Sequence, residues 1–169
     1  MYSQTNMTNR WQWGVKPDNP DEKDPEFSAY TKIVSSRLKS AEDGPSQAAE
    51  LAKETAETWL KAAKDKKEHR MIVRRVARGT MRGIAEIGQD VPLTSRFLLK
   101  MLPGAAPELA IDAKSFTGWI LEGIADVTLM TGPAVRSNIM KMMEAEFPEL
   151  GPQFAEICRT AKLKQWWTK

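Results

Sequence analysis

The chain has 169 residues, of which 41% are hydrophobic, and a formal net charge of +3 at pH 7. This length suits one domain, or one domain with an arm. A single cysteine, Cys158, excludes an intrachain disulfide and predicts a reducing compartment. No uncharged apolar run approaches the roughly 18 residues of a membrane span, and the N-terminus lacks the apolar segment of a signal peptide. We therefore expect a protein that neither spans a membrane nor is secreted.

Residues 1–24 have the composition of an extended polar arm. They contain two prolines and a cluster of four acidic residues between positions 18 and 24, which is typical of a linker rather than of a packed element. Trp11 and Trp13 are the exception, because two tryptophans in a polar segment need something that covers them. Their alternate spacing suits an extended strand that lies against a surface.

Residues 25–92 are predicted to form a helical arm. Asp24-Pro25 is a good helix start, with Asp as the N-cap and Pro at the first position, and Gly44-Pro45 ends that helix. No proline follows between Ser46 and Pro92, and one continuous helix there would span about 40 residues and roughly 60 Å. Because this is too long for a compact domain, we expect the helix to break, bend or project, with Gly79 and Gly83 as the favoured positions.

The strongest signal of the chain is a concentration of positive charge in residues 61–82. They hold nine Lys or Arg and two acidic residues, whereas the other residues carry 16 basic and 20 acidic side chains. On a helix, seven of these cations fall between about 180° and 320° at roughly 100° per residue. The seven, called the cationic stripe below, are Lys64, Lys67, Arg70, Arg74, Arg75, Arg78 and Arg82.

A cationic stripe of this kind predicts contact with a polyanion, most commonly nucleic acid. Solvated helix faces usually mix both signs of charge, whereas this one has no acidic residue between Glu68 and Glu86. We therefore expect the stripe to bind nucleic acid. An anionic partner protein and a plain solvated face are the alternatives.

Two further features predict a subunit interface. Gly79 and Gly83 share the apolar face of the basic helix with Ile72 and Val76, and a missing side chain lets another helix approach closely. A hinge is the alternative explanation of these glycines. Trp167, adjacent to a second tryptophan at the C-terminus, is expected to contact a neighbouring subunit, because one groove can hardly bury both rings.

Residues 93–169 are predicted to form a C-terminal four-helix-type bundle. Thr94 or Ser95 caps its first helix and Ser115 its second, and Gly-Pro steps at residues 132–133 and 151–152 begin the last two. The second of these helices is the most apolar and should be the central buried one. Its only charges, Glu122 and Asp126, share a helix face that meets water, a partner subunit or a cation. No segment shows convincing strand alternation, so the fold class is all-α.

The sequence offers no convincing catalytic or metal-binding constellation. His69 is the only histidine and lies within the cationic segment, so a zinc site would lack its usual ligands. Cys158 lies mid-helix without a nearby base, which favours a packed structural thiol. Phosphate-binding, dinucleotide-binding and zinc-protease motifs are missing from the sequence. We therefore expect no enzyme, no metal site and no cofactor.

The order of helix signals in residues 115–167 carries a family resemblance. The signals are Phe116-Thr117, Thr131-Gly132-Pro133, Arg136, Gly151-Pro152 and the aromatic pair Trp166-Trp167. This order resembles the C-terminal bundle of the major capsid proteins of filamentous archaeal viruses, of the rudivirus and lipothrixvirus type. The resemblance implies a helical arm that clasps double-stranded DNA in A form, bundles that form the outer wall, and location in a virion. The acidic N-terminus departs from the basic one of that family, which suggests one of two paralogous subunits.

These observations support three competing hypotheses. The first is a virion coat subunit that wraps double-stranded DNA by backbone contacts, without reading its sequence, and polymerises as a homo- or heterodimer into a helical filament. The second is an all-helical DNA- or RNA-binding regulator or a ribonucleoprotein small subunit, located in the cytoplasm. The third is an adaptor that docks its cationic helix on an acidic protein.

Overall fold

The computed structural model describes residues 25–106 and 110–167, and side-chain environments within them as far as residue 161. The predicted arm, residues 1–24, lies outside the described residues. The described parts are helical and contain no strand, so the predicted all-α class is confirmed. The elements are α1 (Pro25–Leu38), α2 (Gly44–Ala62), α3 (Lys67–Glu86), α4 (Val91–Met101), a 3-10 helix (Leu102–Ala105), α5 (Ala113–Thr131), α6 (Pro133–Glu146) and α7 (Leu150–Trp167).

The basic helix α3 lies at the centre of the fold, between α1 and α5. Two ion pairs, Arg70–Glu122 and Arg74–Asp126, join residues with the same separation of 52 positions, so α3 and α5 run in the same direction. The helix α2 runs the opposite way, since its first residue lies beside Gln89, just beyond the end of α3. The amphipathic pattern explains this placement, because Val73, Val76, Ala77, Met81 and Ile84 are fully buried.

The long proline-free segment is broken in two, as expected, but not at the glycines. Helix α2 ends at Ala62 and α3 begins at Lys67, whereas Gly79 and Gly83 lie inside an unbroken α3. The side chain of Asp65 accepts a hydrogen bond from the amide of Lys67 (3.0 Å), so it satisfies a donor at the start of the new helix. A side-chain hydrogen bond in the turn, rather than glycine flexibility, thus accompanies the break.

Glycines let α3 approach both of its parallel neighbours. A Cβ on Gly79 would lie 2.6 Å from Tyr30 of α1, and a Cβ on Gly83 would lie 2.6 Å from Val34 of the same helix. On the other side, a Cβ on Gly123 of α5 would lie 2.6 Å from the carbonyl oxygen of Arg74. Close backbone approach therefore explains the glycines of α3 better than a hinge does.

Two predicted caps in the C-terminal half are wrong. Helix α4 is capped by Asp90, whose carboxylate accepts from the amide of Leu93, and Thr94 and Ser95 lie buried inside the helix. Helix α5 is capped by Asp112, which accepts from both the amide and the hydroxyl of Ser115. In each case the carboxylate that precedes the helix takes the N-cap position, for which Asp is among the preferred residues.

Two other features of the C-terminal half agree with the sequence. Helix α5 is the buried central helix that its composition predicted, with Phe116, Ile120, Leu121 and Ile124 fully inaccessible. Gly132 separates α5 from α6 and has a φ of 97°. Glycine adopts such a positive φ without steric cost.

One hydrophobic core joins the two predicted halves of the chain. It extends from Tyr30 and Val34 of α1, through α3 and α5, to Phe154 and Cys158 of α7. The expected division into a helical arm and a separate bundle is therefore not confirmed. None of the described helices is long and apolar enough to cross a bilayer.

Candidate nucleic-acid interface

The most exposed part of the positive segment is the turn that joins α2 to α3. Lys64, Lys66 and Lys67, called the lysine turn below, are all exposed to solvent. The one acidic residue among them, Asp65, accepts a hydrogen bond from the amide of Lys67. On one continuous helix Lys66 would fall off the cationic stripe, whereas the break between Ala62 and Lys67 places it in the turn beside Lys67.

The position of the lysine turn concentrates its positive potential. The N-terminus of a helix carries about half a positive charge from its aligned peptide dipoles, which makes basic residues there unfavourable for the helix. Lys66 is the N-cap residue of α3 and Lys67 its first residue. Cationic side chains and the positive end of the α3 dipole thus occur together, and this combination suits phosphate oxygens.

The next cations of the stripe point to α5 instead of to solvent. Arg70 forms a bidentate ion pair with Glu122, with nitrogen–oxygen distances of 2.8 and 3.1 Å, and its side chain is 59% exposed. Arg74 forms a second bidentate pair with Asp126, at 2.8 and 3.0 Å. Helix α5 therefore places Glu122 and Asp126 against the arginines of α3. The face that these two carboxylates share meets α3 of the same chain.

Arg78 and Arg82 lie deeper in the fold. The Arg78 guanidinium donates to Asp126 at 3.1 Å and lies 4.7 Å from the ring centre of Phe27, and its side chain is 6% exposed. Arg82 pairs with Glu86 at 3.4 Å. To reach a phosphate, these guanidinium groups would have to break their contacts and leave a carboxylate without its partner, which costs free energy. The structure therefore divides the predicted stripe into exposed lysines and structurally engaged arginines.

Arg75 is the remaining member of the stripe, and it is half-buried at the edge of a groove. This groove lies between α1, α2 and α3, has a volume of about 910 Å³ and is lined mainly by apolar side chains. The prominent ones are Tyr30, Ile33, Trp59 and Met71. The groove was not predictable from the sequence, because its walls come from three helices whose packing the chain order does not reveal.

Two of the three expected interface residues, Gly79 and Gly83, lie inside the fold. Gly79 and Gly83 are buried against α1 of the same chain, so the face that they share is occupied within one molecule. Trp167 is in the last helical turn of α7, and its side chain lies outside the described residues. Its role in self-association stays a prediction.

The groups with reactive potential occupy ordinary structural environments. Burial raises the pKa of the Cys158 thiol, whose sulfur lies 3.9 Å from the hydroxyl of Thr128. Burial also raises the pKa of Tyr30, whose hydroxyl lies 2.6 Å from that of Thr80. Within the described parts of the chain, no group of three or more His, Cys, Asp or Glu is arranged to hold a metal ion.

Comparisons with protein-family models, curated proteins and solved structures found no match for this chain. The resemblance to filamentous-virus capsid proteins therefore stays a prediction. Of the helix starts on which it was based, Pro133 begins α6 and Gly151-Pro152 lies in the first turn of α7, whereas α5 begins at Ala113, before Phe116-Thr117.

Proposed function

We propose that this chain is a structural nucleic-acid-binding protein, and that it acts as a coat subunit along double-stranded DNA in a filament. The observation that carries the proposal is the lysine turn, with three exposed lysines at the start of α3. Lysines contact phosphates as mobile point charges and do not discriminate between bases, so binding is independent of sequence.

The proposal differs from the sequence-based one in the number of phosphate contacts. Seven stripe residues would give a salt dependence near −6, at about −0.9 per neutralised phosphate. Arg70, Arg74 and Arg78 are paired with carboxylates of α5, so the lysine turn is the principal contact. Three contacts correspond to a slope of about −3.

The regulator alternative is less well supported by the environment of α4. A base-reading helix presents short polar side chains to the major groove, and α4 follows α3 after a short turn that contains Gly88. Its two short polar residues, Thr94 and Ser95, are fully buried, and their hydroxyls bond to the carbonyls of Asp90 and Val91. They are therefore not available for base contacts.

The test is reversal of charge in the lysine turn. The triple variant Lys64→Glu, Lys66→Glu, Lys67→Glu should abolish binding to duplex DNA, measured by fluorescence anisotropy. Acidic residues at a helix N-terminus are favourable, so the variant should keep its helicity by circular dichroism. A matched control reverses three exposed lysines elsewhere, Lys32, Lys39 and Lys141, and changes the net charge equally.

The control should retain binding within a few-fold, because long-range charge alone acts weakly across a Debye length of about 10 Å. Equal losses in both triple variants would show that net charge, not the turn, determines binding. Filaments in negative-stain images of the wild type with DNA would favour the coat function. Equal binding to poly-glutamate at the same salt would favour the adaptor.

A further inference from the structure

We propose that the groove between α1, α2 and α3 is the docking site of the chain's own N-terminal segment Trp11-Gln12-Trp13. The inference does not depend on nucleic-acid binding, since it rests on the groove and on the arm that precedes it.

The groove collects the large hydrophobic side chains that the described residues expose to solvent. Ile33 and Met71 are the two large hydrophobic residues classed as exposed within the described ranges, at 46% and 54%. Both line this groove, together with the partly buried Leu51, Trp59 and Ile72. A rimmed apolar patch of this kind marks a site of contact.

The size and chemistry of the groove suit indole rings. Its volume of about 910 Å³ lies within the roughly 300–1,000 Å³ that is typical of ligand sites. Tyr30 and Trp59 already pack edge to face in its wall, with ring centres 5.7 Å apart, and aromatic rings associate well in this way. Carboxylates of Glu54 and Glu68 also line the groove and are suitable acceptors for indole N–H groups.

The arm has the composition and the length to reach the groove from its own chain. It enters α1 at Pro25, and α1 forms one wall of the groove from Ala29 to Arg37. The 12 residue steps from Trp13 to Pro25 span up to about 40 Å when extended. The distance along α1 from Pro25 to Ile33 is only about 12 Å.

Charge and effective concentration also favour the chain's own arm. The segment between Trp13 and Pro25 holds four acidic and two basic residues, and the groove wall carries the exposed Arg37. A short tether gives an effective concentration in the millimolar range. This exceeds the concentration of a second molecule in a dilute sample.

Disulfide trapping in the full-length chain tests the proposal. In a Cys158→Ala background, one variant carries Gln12→Cys and Ile33→Cys, which places thiols between the two tryptophans and in the groove. The control carries Gln12→Cys and Ser137→Cys, because Ser137 is exposed on α6, away from the groove. Oxidation at low protein concentration is followed by electrophoresis without reductant.

The groove pair should form an intrachain disulfide about tenfold or more faster than the control pair, as expected for a tethered, docked segment. Equal rates would show that the arm samples the surface without docking. Predominantly interchain disulfides would show that a second copy is the occupant, and either result overturns the proposal.

A spectroscopic measurement covers the case in which the cysteines disturb docking. Fluorotryptophan resonances of Trp11 and Trp13, assigned by Trp→Phe variants, should shift when Met71→Gln is introduced, and should be unaffected by Ser137→Ala. If Met71→Gln leaves the resonances of Trp11 and Trp13 unchanged, the proposal is also contradicted.

Discussion

Neutralising Asp126 should destabilise the fold much more than neutralising Glu122, although both carboxylates lie on α5 and pair with α3. Asp126 accepts from Arg74 and Arg78, and the Arg78 side chain is only 6% exposed. Removing one partner of a buried ion pair costs about 3–5 kcal/mol, since the other charge stays buried. For Asp126→Asn we expect a loss of about 3 kcal/mol, the lower end of this range, because Arg78 keeps its contact with the ring of Phe27.

The matched control is Glu122→Gln, which removes the same charge one helical turn earlier. Its partner Arg70 is 59% exposed, and exposed pairs contribute about 0–1 kcal/mol. At roughly 2–4 °C per kcal/mol for a chain of this size, Asp126→Asn should lower the melting temperature by about 6–12 °C. Glu122→Gln should lower it by at most about 4 °C.

Circular dichroism melts and urea titrations of the two variants measure these differences. Equal losses would refute the reasoning, because they would mean that burial of Arg78 does not determine the cost. A double variant Asp126→Asn, Arg78→Met should recover part of the loss, since an apolar side chain has no charge to leave unpaired.

Three further outcomes are expected. Gly83→Ala should cost about 1–3 kcal/mol by overpacking against α1, where its Cβ would lie 2.6 Å from a side chain, whereas Gly151→Ala, with its nearest contact at 3.5 Å, should be nearly neutral in thermal melts. Hydrogen bonds from Arg96 and, to a smaller extent, from Lys100 hold the pKa of Glu146 below its ordinary value. The stabilisation that Glu146→Gln removes should therefore be present above about pH 5 and vanish as the pH falls through the folded pKa. A difference in melting temperature that persists in acid would contradict this. Trp167→Ala should weaken self-association by about 2 kcal/mol in sedimentation without lowering the melting temperature, and the opposite pattern would place the ring inside the monomer.

The sequence predicted features that depend on local pattern. The start at Pro25, the glycine-proline step before α6 and the buried character of α5 all follow from capping preferences and hydrophobic periodicity. The caps at Thr94 and Ser115 were misplaced because several residues near each start are able to cap, and the sequence alone does not rank them. In both cases a carboxylate upstream took the position.

The candidate site was less predictable, because it depends on which helices become neighbours. The arginines of α3 and the acidic pair Glu122 and Asp126 were each visible in the sequence. Their pairing across 52 positions required α3 and α5 to pack side by side in the same direction. Glycine spacing on α3 indicated close approach, but not that α1 of the same chain, rather than a second subunit, would be the partner.

The salt dependence of duplex DNA binding tests the central claim most directly. For the wild-type chain, the logarithm of the association constant against the logarithm of salt concentration should have a slope of about −3, set by the three lysines of the turn. The triple variant Lys64→Glu, Lys66→Glu, Lys67→Glu should show no salt-dependent binding. A wild-type slope near −6, or a slope that the triple variant leaves unchanged, would contradict the account and assign binding to the arginines of α3.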